Sequence, residues 1–405
     1  MAPPTIQSAH DWLSTQRNSM VADLIELANV NSGSSNLAGL RQVACKIENW
    51  IDFRSTSFAA IGLPTRRSLG DRGETVEHAT GDLLAWHFQP NATRRILLGI
   101  HYDTVYGVDD PLQRCSWRST SQLAGPGVAD AKGGIIVMRY ALQAVQRFEL
   151  AQNFGWTVFL NPDEEIGSPS SAAYLREIAP HYEAGLLFEP AFPDGSLVCQ
   201  RKGSGNFTIL SRGRSAHVGR NIERGRNAIT HLAKLVARLD ALRTVDNDLT
   251  INVGHFVGGG AVNVVPDTAI VRINLRAATP ESQMWAEQQL NSLVDQFNQQ
   301  DGLSCELHGG FHAPAKLIDQ SMSRLMSLTE TAAQRLGQEI HWTKTGGVSD
   351  GNKLAAAGLA NVDTLGPIGD CLHSSDEWVS VDSLVSRASL VVQLLHEMSI
   401  QPPVA

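Results

Sequence analysis

The sequence predicts an α/β protein in which a large domain, with a mostly parallel sheet covered by helices, carries a smaller inserted α+β domain. In the first two hundred residues, short and continuously apolar strands alternate with helices, a pattern typical of parallel sheets buried on both faces. From about residue 203 the strands become half-polar, which is typical of a sheet with one open face. A length of 405 residues also favours two domains over one.

The elements of the first half follow from hydrophobic periodicity. Apolar residues three and four positions apart predict helices, and short apolar runs bounded by turn residues predict strands. The expected helices are residues 20–30, 37–51, 133–148 and 170–178. The expected strands are residues 81–88, 95–101, 156–161 and 184–189.

The second half changes its pattern twice. Between residues 204 and 313 we expect strands at 207–211, 251–257, 269–276 and 303–307, with helices at 227–242 and 283–299. From about Pro314 the earlier alternation resumes, with a helix at 321–336, a strand near 361–365 and a closing helix at 380–396. We therefore expect residues 1–203 and 314–405 to form one discontinuous domain, and residues 204–313 to be inserted into it.

The amino-acid composition limits the classes of molecule that this protein is expected to bind. A net charge of −8, with 42% hydrophobic and 18% charged residues, is that of a globular protein and argues against nucleic acid or an anionic membrane as partner. The N-terminal residues lack the pattern of a secretory signal, and no segment approaches the ~20 apolar residues of a membrane span. We expect a cytoplasmic protein. The five scattered cysteines include no CxxC pair, so a thiolate zinc site is not expected.

Acidic and histidine side chains occur where the apolar strands end. His101 and Asp103 close the strand at 95–101, Glu164 and Glu165 follow the strand at 156–161, and Glu189 ends the strand at 184–189. Because ligands of open α/β sheets collect outside the carboxyl ends of the strands, we expect these side chains to share one crevice.

Two further residues extend this set: Asp130, in a glycine-rich turn before a helix, and His373, in a polar loop. Taken singly, each residue has an ordinary structural explanation, such as a helix start or a solvated pair. Together, two imidazoles and three carboxylates suit zinc, and these carboxylates with one hydroxide would neutralise two divalent ions. The expected metal ligands are His101, Asp130, Glu165, Glu189 and His373.

Two acidic neighbours of these ligands are expected to take part in catalysis. Glu164 adjoins ligand Glu165 without being needed as a ligand itself, so it is placed to take a proton from water and pass it to a leaving amine. Asp103 lies two residues after His101, on the same side of an extended chain. It is placed to accept the second N–H of the imidazole and fix its tautomer.

The motifs resemble those of the M20 metallopeptidases, the group of glutamate carboxypeptidase, acetylornithine deacetylase and succinyl-diaminopimelate desuccinylase. HYD at 101–103, GPGVADAKGG at 125–134, DEEIGS at 163–168, Glu189 and His373 follow the family's order over nearly the whole chain. The resemblance implies two zinc ions, with Co²⁺ or Mn²⁺ as substitutes. It implies Asp130 as the bridge, His101 with Glu189 on one zinc, and Glu165 with His373 on the other.

The resemblance extends into the insert, which in this family is a lid that commonly dimerises, and so implies a homodimer. GRSAHVG is similar to the lid motif and implies His217 as the residue that stabilises the oxyanion, from the other subunit in dimeric relatives. AVNVVPDTA and NLRA are similar to segments that bring Asn263 and Arg276 to the substrate. Without the resemblance, each of these three would be read as a surface or turn residue.

A glycine-rich stretch, TGGVSDGN at 345–352, resembles the loop whose backbone amides receive the substrate carboxylate. The resemblance implies this role for Gly346 and Gly347 and a substrate contact for Lys344. Lys344 is a departure, because relatives often place an arginine there and lysine lacks the two-pronged fit to a carboxylate.

These features favour hydrolysis of a small peptide or an N-acyl amino acid. Within this class a carboxypeptidase- or deacylase-like activity is favoured over an aminopeptidase. The alternative is a catalytically silent, dimeric binding or regulatory protein on the same scaffold. That alternative is disfavoured because all five expected ligands and Glu164 are present.

Overall fold

The computed structural model describes residues 5–51, 53–54, 56–151, 153–244 and 248–404. The elements up to residue 124 are α1 (Ile6–Thr15), α2 (Arg17–Ala28), α3 (Leu37–Trp50), β1 (Thr56–Ile61), β2 (Arg66–Leu69), β3 (Thr75–His78), β4 (Leu83–Phe88), β5 (Arg94–His101), β6 (Ser116–Trp117) and β7 (Gln122–Ala124). The next are α4 (Lys132–Arg147), β8 (Phe154–Asn161), α5 (Ala172–Ile178), β9 (Ala184–Leu187) and β10 (Leu197–Arg201).

The remaining elements begin with those of a second sheet. They are β11 (Gly203–Arg212), α6 (Val218–Asn221), α7 (Ala228–Asp240), β12 (Leu249–Gly258), β13 (Thr268–Ala277), α8 (Pro280–Phe297) and β14 (Ser304–Ala313). The chain then forms α9 (Gln320–Arg335), β15 (Trp342–Thr345), α10 (Asp350–Ala356), β16 (Asn361–Val362), β17 (Gly369–Asp370), β18 (Trp378–Ser380) and α11 (Val381–Ile400).

The main sheet has six strands in the order β1-β4-β8-β5-β9-β16. Strands β8, β5, β9 and β16 run parallel, while β4 pairs antiparallel with β8 and with β1 at one edge. The prediction of a mostly parallel sheet in an α/β protein is confirmed.

Both faces of this sheet are covered, as its continuously apolar strands predict. Ile96, Leu98 and Ile100 of β5 belong to a core shared with α1, α2, α4 and α11. Leu97, between them, points to the opposite face and joins a second core with α5 and α10. Within the described residues, no helix combines the length and the apolar character that crossing a bilayer requires.

The second sheet is antiparallel, in the order β12-β13-β11-β14. Helices α7 and α8 cover one face and form with it a hydrophobic core separate from those of the main sheet. The predicted limits of the inserted domain, 204 and 313, fall at the start of β11 and the end of β14. The strands are longer than predicted, because their polar ends continue to pair where hydrophobic alternation stops.

A hairpin formed by β2 and β3 reaches from the first half of the chain to the second sheet. Arg272 of β13 donates to the Leu69 carbonyl at 3.0 Å and forms an ion pair with Asp71 at 2.7 Å. His255 of β12 lies 3.4 Å from the same carboxylate. The sequence analysis did not predict this hairpin, because its short and largely polar strands show no clear periodicity.

Other differences also concern short elements. The sequence pattern does not predict α1, α6, α10, β1, β10, β15 and the small strands β6, β7, β17 and β18. It also extends β9 to Glu189, whereas the strand ends at Leu187. Past that point the chain leaves the regular ladder, and the Glu189 N–H donates to the Asp363 carbonyl at 3.2 Å.

Close packing between β5 and β8 gives a test of this core. Gly99 stands opposite Phe159, and a Cβ atom at Gly99 would lie 2.1 Å from the buried Phe159 ring. We expect Gly99→Ala to lower the free energy of unfolding by about 1–3 kcal/mol, because the ring must move within a packed core. Urea denaturation followed by circular dichroism measures the change.

Gly62→Ala is the matched control, since nothing lies within 4 Å of a Cβ atom there. It should leave the free energy of unfolding within about 0.5 kcal/mol of wild type or raise it slightly. Equal loss of stability in the two variants would contradict the packing described for Phe159.

Candidate metal centre

The expected ligands meet at the carboxyl edge of the parallel strands. His101 is the last residue of β5, and Glu165 lies in a 3₁₀ turn three residues past the end of β8. Glu189 follows β9 by two residues. Because β5 pairs in parallel with both β8 and β9, these strand ends lie side by side. This convergence follows from the topology of an open α/β sheet.

Asp130 lies at the centre of the cluster. Its Oδ1 is 3.0 Å from Nε2 of His101, and its Oδ2 is 3.3 Å from Nε2 of His373. His373 Nε2 is also 3.2 Å from Glu165 Oε2, and His101 Nε2 is 3.7 Å from Glu189 Oε2. The two oxygens of Asp130 thus face two separate groups, one of His101 and Glu189, the other of His373 and Glu165.

Close backbone contacts hold Asp130 in this position. The peptide bond between Asp130 and Ala131 is cis, and α4 begins one residue later. A Cβ atom at Gly134 would lie 2.1 Å from the Phe188 carbonyl oxygen, so only glycine lets the start of α4 pack against the segment that carries Glu189. Gly134 therefore lets the start of α4, which follows Asp130, lie close to the segment that carries Glu189.

The distances within the cluster suit a divalent metal. Zinc bonds of 2.0–2.1 Å in a tetrahedral site place neighbouring ligand atoms about 3.3–3.4 Å apart, close to the separations measured here. The ligand atoms of His101, Asp130 and Glu165 lie within 4.8 Å of one another. The Oε1 atom of Glu165 is buried without a hydrogen-bond partner in the described structure, as an oxygen available to a cation would be.

The electrostatics agree with this fit. Burial, together with the Asp130 carboxylate, raises the pKa of Glu165 to about 7. Burial and the Glu189 carboxylate raise the pKa of Glu164 well above its ordinary value. Burial also raises the pKa of Glu189. Burial thus disfavours the ionised forms of Glu164, Glu165 and Glu189, and a bound cation would favour them.

Asp103 orients both His101 and the turn after β8. His101 Nδ1 lies 3.0 Å from the Asp103 carbonyl oxygen and 3.3 Å from its carboxylate. The two carboxylate oxygens accept the backbone N–H groups of Glu164 and Glu165, each at 3.2 Å, and one also accepts Ser34 Oγ at 2.7 Å. The contact with His101 was expected, whereas the anchoring of the turn was not.

Glu377 is a further buried carboxylate beside the centre, and the sequence analysis missed it. It accepts the backbone N–H groups of Ala129 at 2.8 Å, Asp130 at 3.0 Å and Gly127 at 3.1 Å. Tyr106 donates its hydroxyl to the same carboxylate at 2.6 Å. Glu377 thus fixes the turn that carries Asp130. Its position four residues after His373 was the available signal.

A buried ion pair supports the segment after Glu165. Lys353 of α10 lies 2.8 Å from Asp350 and donates to Ser168 Oγ at 2.9 Å. Asp350 also accepts Ser168 Oγ at 2.6 Å and the Asn161 amide at 2.7 Å. These contacts fasten the Glu164–Glu165 turn to α10. The sequence analysis did not predict them.

The expected substrate-binding residues divide into two groups. Arg276 donates to the Gly346 carbonyl, so the structure brings these two residues together. Lys344 is exposed on β15, shortly before Gly346 in the chain. The Gly347 N–H donates to Thr345 Oγ1 at 3.1 Å, so this amide already has an acceptor within its own loop.

His217 and Asn263 form the other group, on the surface of the second sheet. His217 caps α6 by accepting the Gly219 N–H at 3.1 Å, and Asn263 accepts the Val218 N–H through its carbonyl at 3.0 Å. Both residues are exposed. Among the described residues, their hydrogen bonds lie within this loop region and do not reach the cluster around Asp130.

Comparison with known proteins supports a common origin. Residues 97–397 match the model of peptidase family M20/M25/M40. Carboxypeptidase G2 of Pseudomonas sp. (strain RS-16) is 25% identical over 393 residues, covering 95% of this chain and 90% of that protein. Succinyl-diaminopimelate desuccinylase of Pseudoalteromonas translucida (strain TAC 125) is 29% identical over 298 residues, covering 68% and 75%.

A solved structure shows the same fold. The M20 family metallo-carboxypeptidase Sso-CP2 from Sulfolobus solfataricus superimposes with a TM-score of 0.70 at 17% identity, covering 94% of this chain and 99% of that one. Members of the family are metal-dependent peptidases and amidohydrolases. The family predicted from the motifs is confirmed. This chain belongs to peptidase family M20/M25/M40.

Proposed function

We propose that this protein is a two-zinc hydrolase that cleaves the amide bond of a small peptide or an N-acyl amino acid, in the manner of a carboxypeptidase or deacylase. The observation that carries the proposal is the position of Asp130, whose two oxygens face His101 and His373 separately. A carboxylate with this geometry is suited to bridge two ions. The names of the relatives, a carboxypeptidase and a desuccinylase, agree with this reaction class.

In this proposal, each side chain of the site has a separate role in hydrolysis. Bound divalent ions would supply Lewis acidity, polarising a substrate carbonyl and lowering the pKa of water. Glu164 takes a proton from the attacking water and gives it to the leaving nitrogen, because it adjoins Glu165 in the chain and is not itself one of the proposed ligands. Asp103 keeps the proton of His101 on Nδ1, which leaves Nε2 free as a ligand.

The substrate carboxylate is assigned to the region around Arg276 and Gly346. Arg276 and the loop of Gly346 are in contact, and Lys344 precedes that loop. In this proposal Gly347 and Asn263 complete the site, and His217 stabilises the oxyanion that develops on the carbonyl oxygen. Since His217 and Asn263 lie on the surface of the second sheet, they require a second subunit or a movement of that sheet.

A homodimer formed through residues 204–313 would supply them. Strand β12 is an edge of the second sheet within the described structure. Near it lie exposed apolar side chains, namely Val218, Ile222, Phe256, Val262 and Val264. The apolar side chain of Val262, which precedes Asn263, is 99% exposed. An open strand edge with apolar neighbours is typical of a protein interface.

The first prediction from this proposal concerns Glu164. We expect zinc-loaded wild type to cleave members of a panel of dipeptides and N-acetyl, N-succinyl and N-formyl amino acids, and a chelator to abolish the activity. Glu164→Gln should lower kcat about 10²–10⁴-fold while the bound zinc, measured by mass spectrometry, stays unchanged. Glu165→Gln should instead lose zinc, because a proposed ligand is removed.

Three outcomes would each contradict a part of the proposal. Full activity of Glu164→Gln would exclude the assigned proton transfer. Absence of cleavage anywhere in the panel, with zinc bound, would favour the silent binding or regulatory protein. Cleavage restricted to peptides with a free N-terminal amine would favour the aminopeptidase alternative.

Glu377 provides a second prediction. We expect Glu377→Ala to weaken zinc affinity about 10–100-fold, because the turn that carries Asp130 loses the acceptor of three N–H groups. Competition with a fluorescent zinc chelator measures the affinity. Asp376→Ala is the matched control: Asp376 is exposed and pairs with Arg118. Equal affinities of the two variants would refute this role for Glu377.

A mixing experiment tests whether His217 acts across a dimer. His217→Ala and Glu164→Gln should each be nearly inactive, yet equal amounts combined by coexpression should regain about a quarter of wild-type activity, since half of the dimers carry one intact site. Size-exclusion chromatography verifies the dimer. Failure of the mixture to exceed its two components would show that His217 does not act from the partner subunit.

A further inference from the structure

Two adjoining cavities connect the metal centre with the hairpin. The smaller, about 380 Å³, is lined by Glu165 and Thr104. The larger, about 690 Å³, lies between the β2–β3 hairpin, the segment after Glu165 and the open face of the second sheet. Arg66, His78 and Ile166 line both cavities. Their volumes fall in the range of sites for small molecules.

Arg66 lies at the junction of the two cavities. Among the described residues that line these cavities, it is the arginine that has no carboxylate partner. Arg67 lies 2.9 Å from Glu77, and Arg272 lies 2.7 Å from Asp71. The carboxylate of Asp163 acts on Arg66 electrostatically, but its oxygens accept the Ser170 and Ser171 donors and it forms no ion pair with Arg66. The charge of Arg66 is therefore available to a ligand.

The remaining lining favours an anion over a cation. Among the described residues, no carboxylate lines the larger cavity, and Glu165 is the one carboxylate that lines the smaller cavity. Burial and the nearby charges of Lys353 and Arg276 lower the pKa of His312 to about 4, so this histidine is neutral and carries one N–H at pH 7. Exposed amides of Asn206 and Asn252 add donors.

The larger cavity adjoins the proposed site of the substrate carboxylate without including it: Arg276 donates to Asn274 Oδ1 at 3.2 Å, and Asn274 lines that cavity. Arg276 contacts Gly346, and neither residue lines either cavity. If the carboxylate of the leaving amino acid binds there, the acyl part of the substrate occupies the space that begins at Glu165. The chemistry of that space then selects the acyl part.

We infer that the acyl part of the substrate carries a carboxylate of its own, which binds Arg66. The substrate class is thus an acidic N-terminal residue or a dicarboxylic acyl group joined to an amino acid. This inference rests on the proposed hydrolase function. Arg66 is the residue that determines specificity, since a guanidinium binds a carboxylate through two parallel hydrogen bonds.

Acid and amide pairs of equal shape provide the test. The probes are Glu-Ala with Gln-Ala, and N-glutaryl-L-alanine with its neutral terminal amide. Calorimetric titration uses the zinc-loaded Glu164→Gln protein, which does not consume the ligand, and kcat/KM is measured with wild type. In at least one pair the acid should bind roughly 10- to 100-fold more tightly than the amide, and kcat/KM should favour it similarly.

The variants separate recognition from folding. Arg66→Met should weaken only the acid and leave the amide unchanged, and Arg66→Lys should retain part of the preference because the charge remains. Arg72→Met is the control, because Arg72 is an exposed arginine in the turn of the same hairpin and lines neither cavity. It should behave as wild type. A preference in neither pair, or equal weakening of acid and amide in Arg66→Met, overturns the inference.

Failure of the proposed function gives a different result. If the acids bind through Arg66 but no probe or panel substrate is hydrolysed, acid recognition stands and the hydrolase function falls. If acids and amides are hydrolysed equally in wild type and Arg66→Met, the hydrolase function stands and acid recognition falls. If no probe binds, the acidic substrate class is excluded.

Discussion

The crowding of buried carboxylates around Asp130 is the constraint on which the rest of the structure depends. Asp130, Glu165 and Glu189 are brought together at the edge of an apolar sheet, where separated charges are costly. Two histidines alone do not balance them. Much of the surrounding structure, from Asp103 to Glu377, holds these groups in place against their mutual repulsion.

The fixed backbone around the centre explains how such crowding is tolerated. Of the proposed ligands, His101 and Glu189 lie at or just past the ends of buried strands. Asp130 and Glu165 lie in turns whose N–H groups are occupied by another carboxylate. Asp103 takes the N–H groups of the turn after β8, and Glu377 takes those of the turn before α4. Neither carboxylate is among the proposed ligands. In the proposed site, their hydrogen bonds to the backbone keep the ligand carboxylates in place although these carboxylates repel one another.

Much of this arrangement was predictable from the sequence. The central strands are apolar and continuous, so their ends, and with them His101, Glu165 and Glu189, could be located from hydrophobicity alone. Asp130 and His373 needed the additional argument of ligand chemistry and motif order. The family followed from the same motifs.

The parts that escaped prediction share a physical cause. Glu377 and the Lys353–Asp350 pair act on residues 182 to 250 positions away, and hydrophobic periodicity does not mark a polar residue as buried by distant segments. The β2–β3 hairpin is short and polar, so it lacks periodicity. The placement of His217 and Asn263 away from the cluster depends on how the second sheet lies, which is a property of tertiary packing.

The contact of the hairpin with the second sheet couples binding to the arrangement of the whole chain. The walls of the larger cavity come from the hairpin, the segment after Glu165 and the second sheet, and the pair of Asp71 and Arg272 joins the hairpin to the second sheet. A molecule that fills this space gains contacts only while the hairpin and the second sheet stay together. By thermodynamic linkage, it must stabilise this arrangement over every arrangement in which they separate.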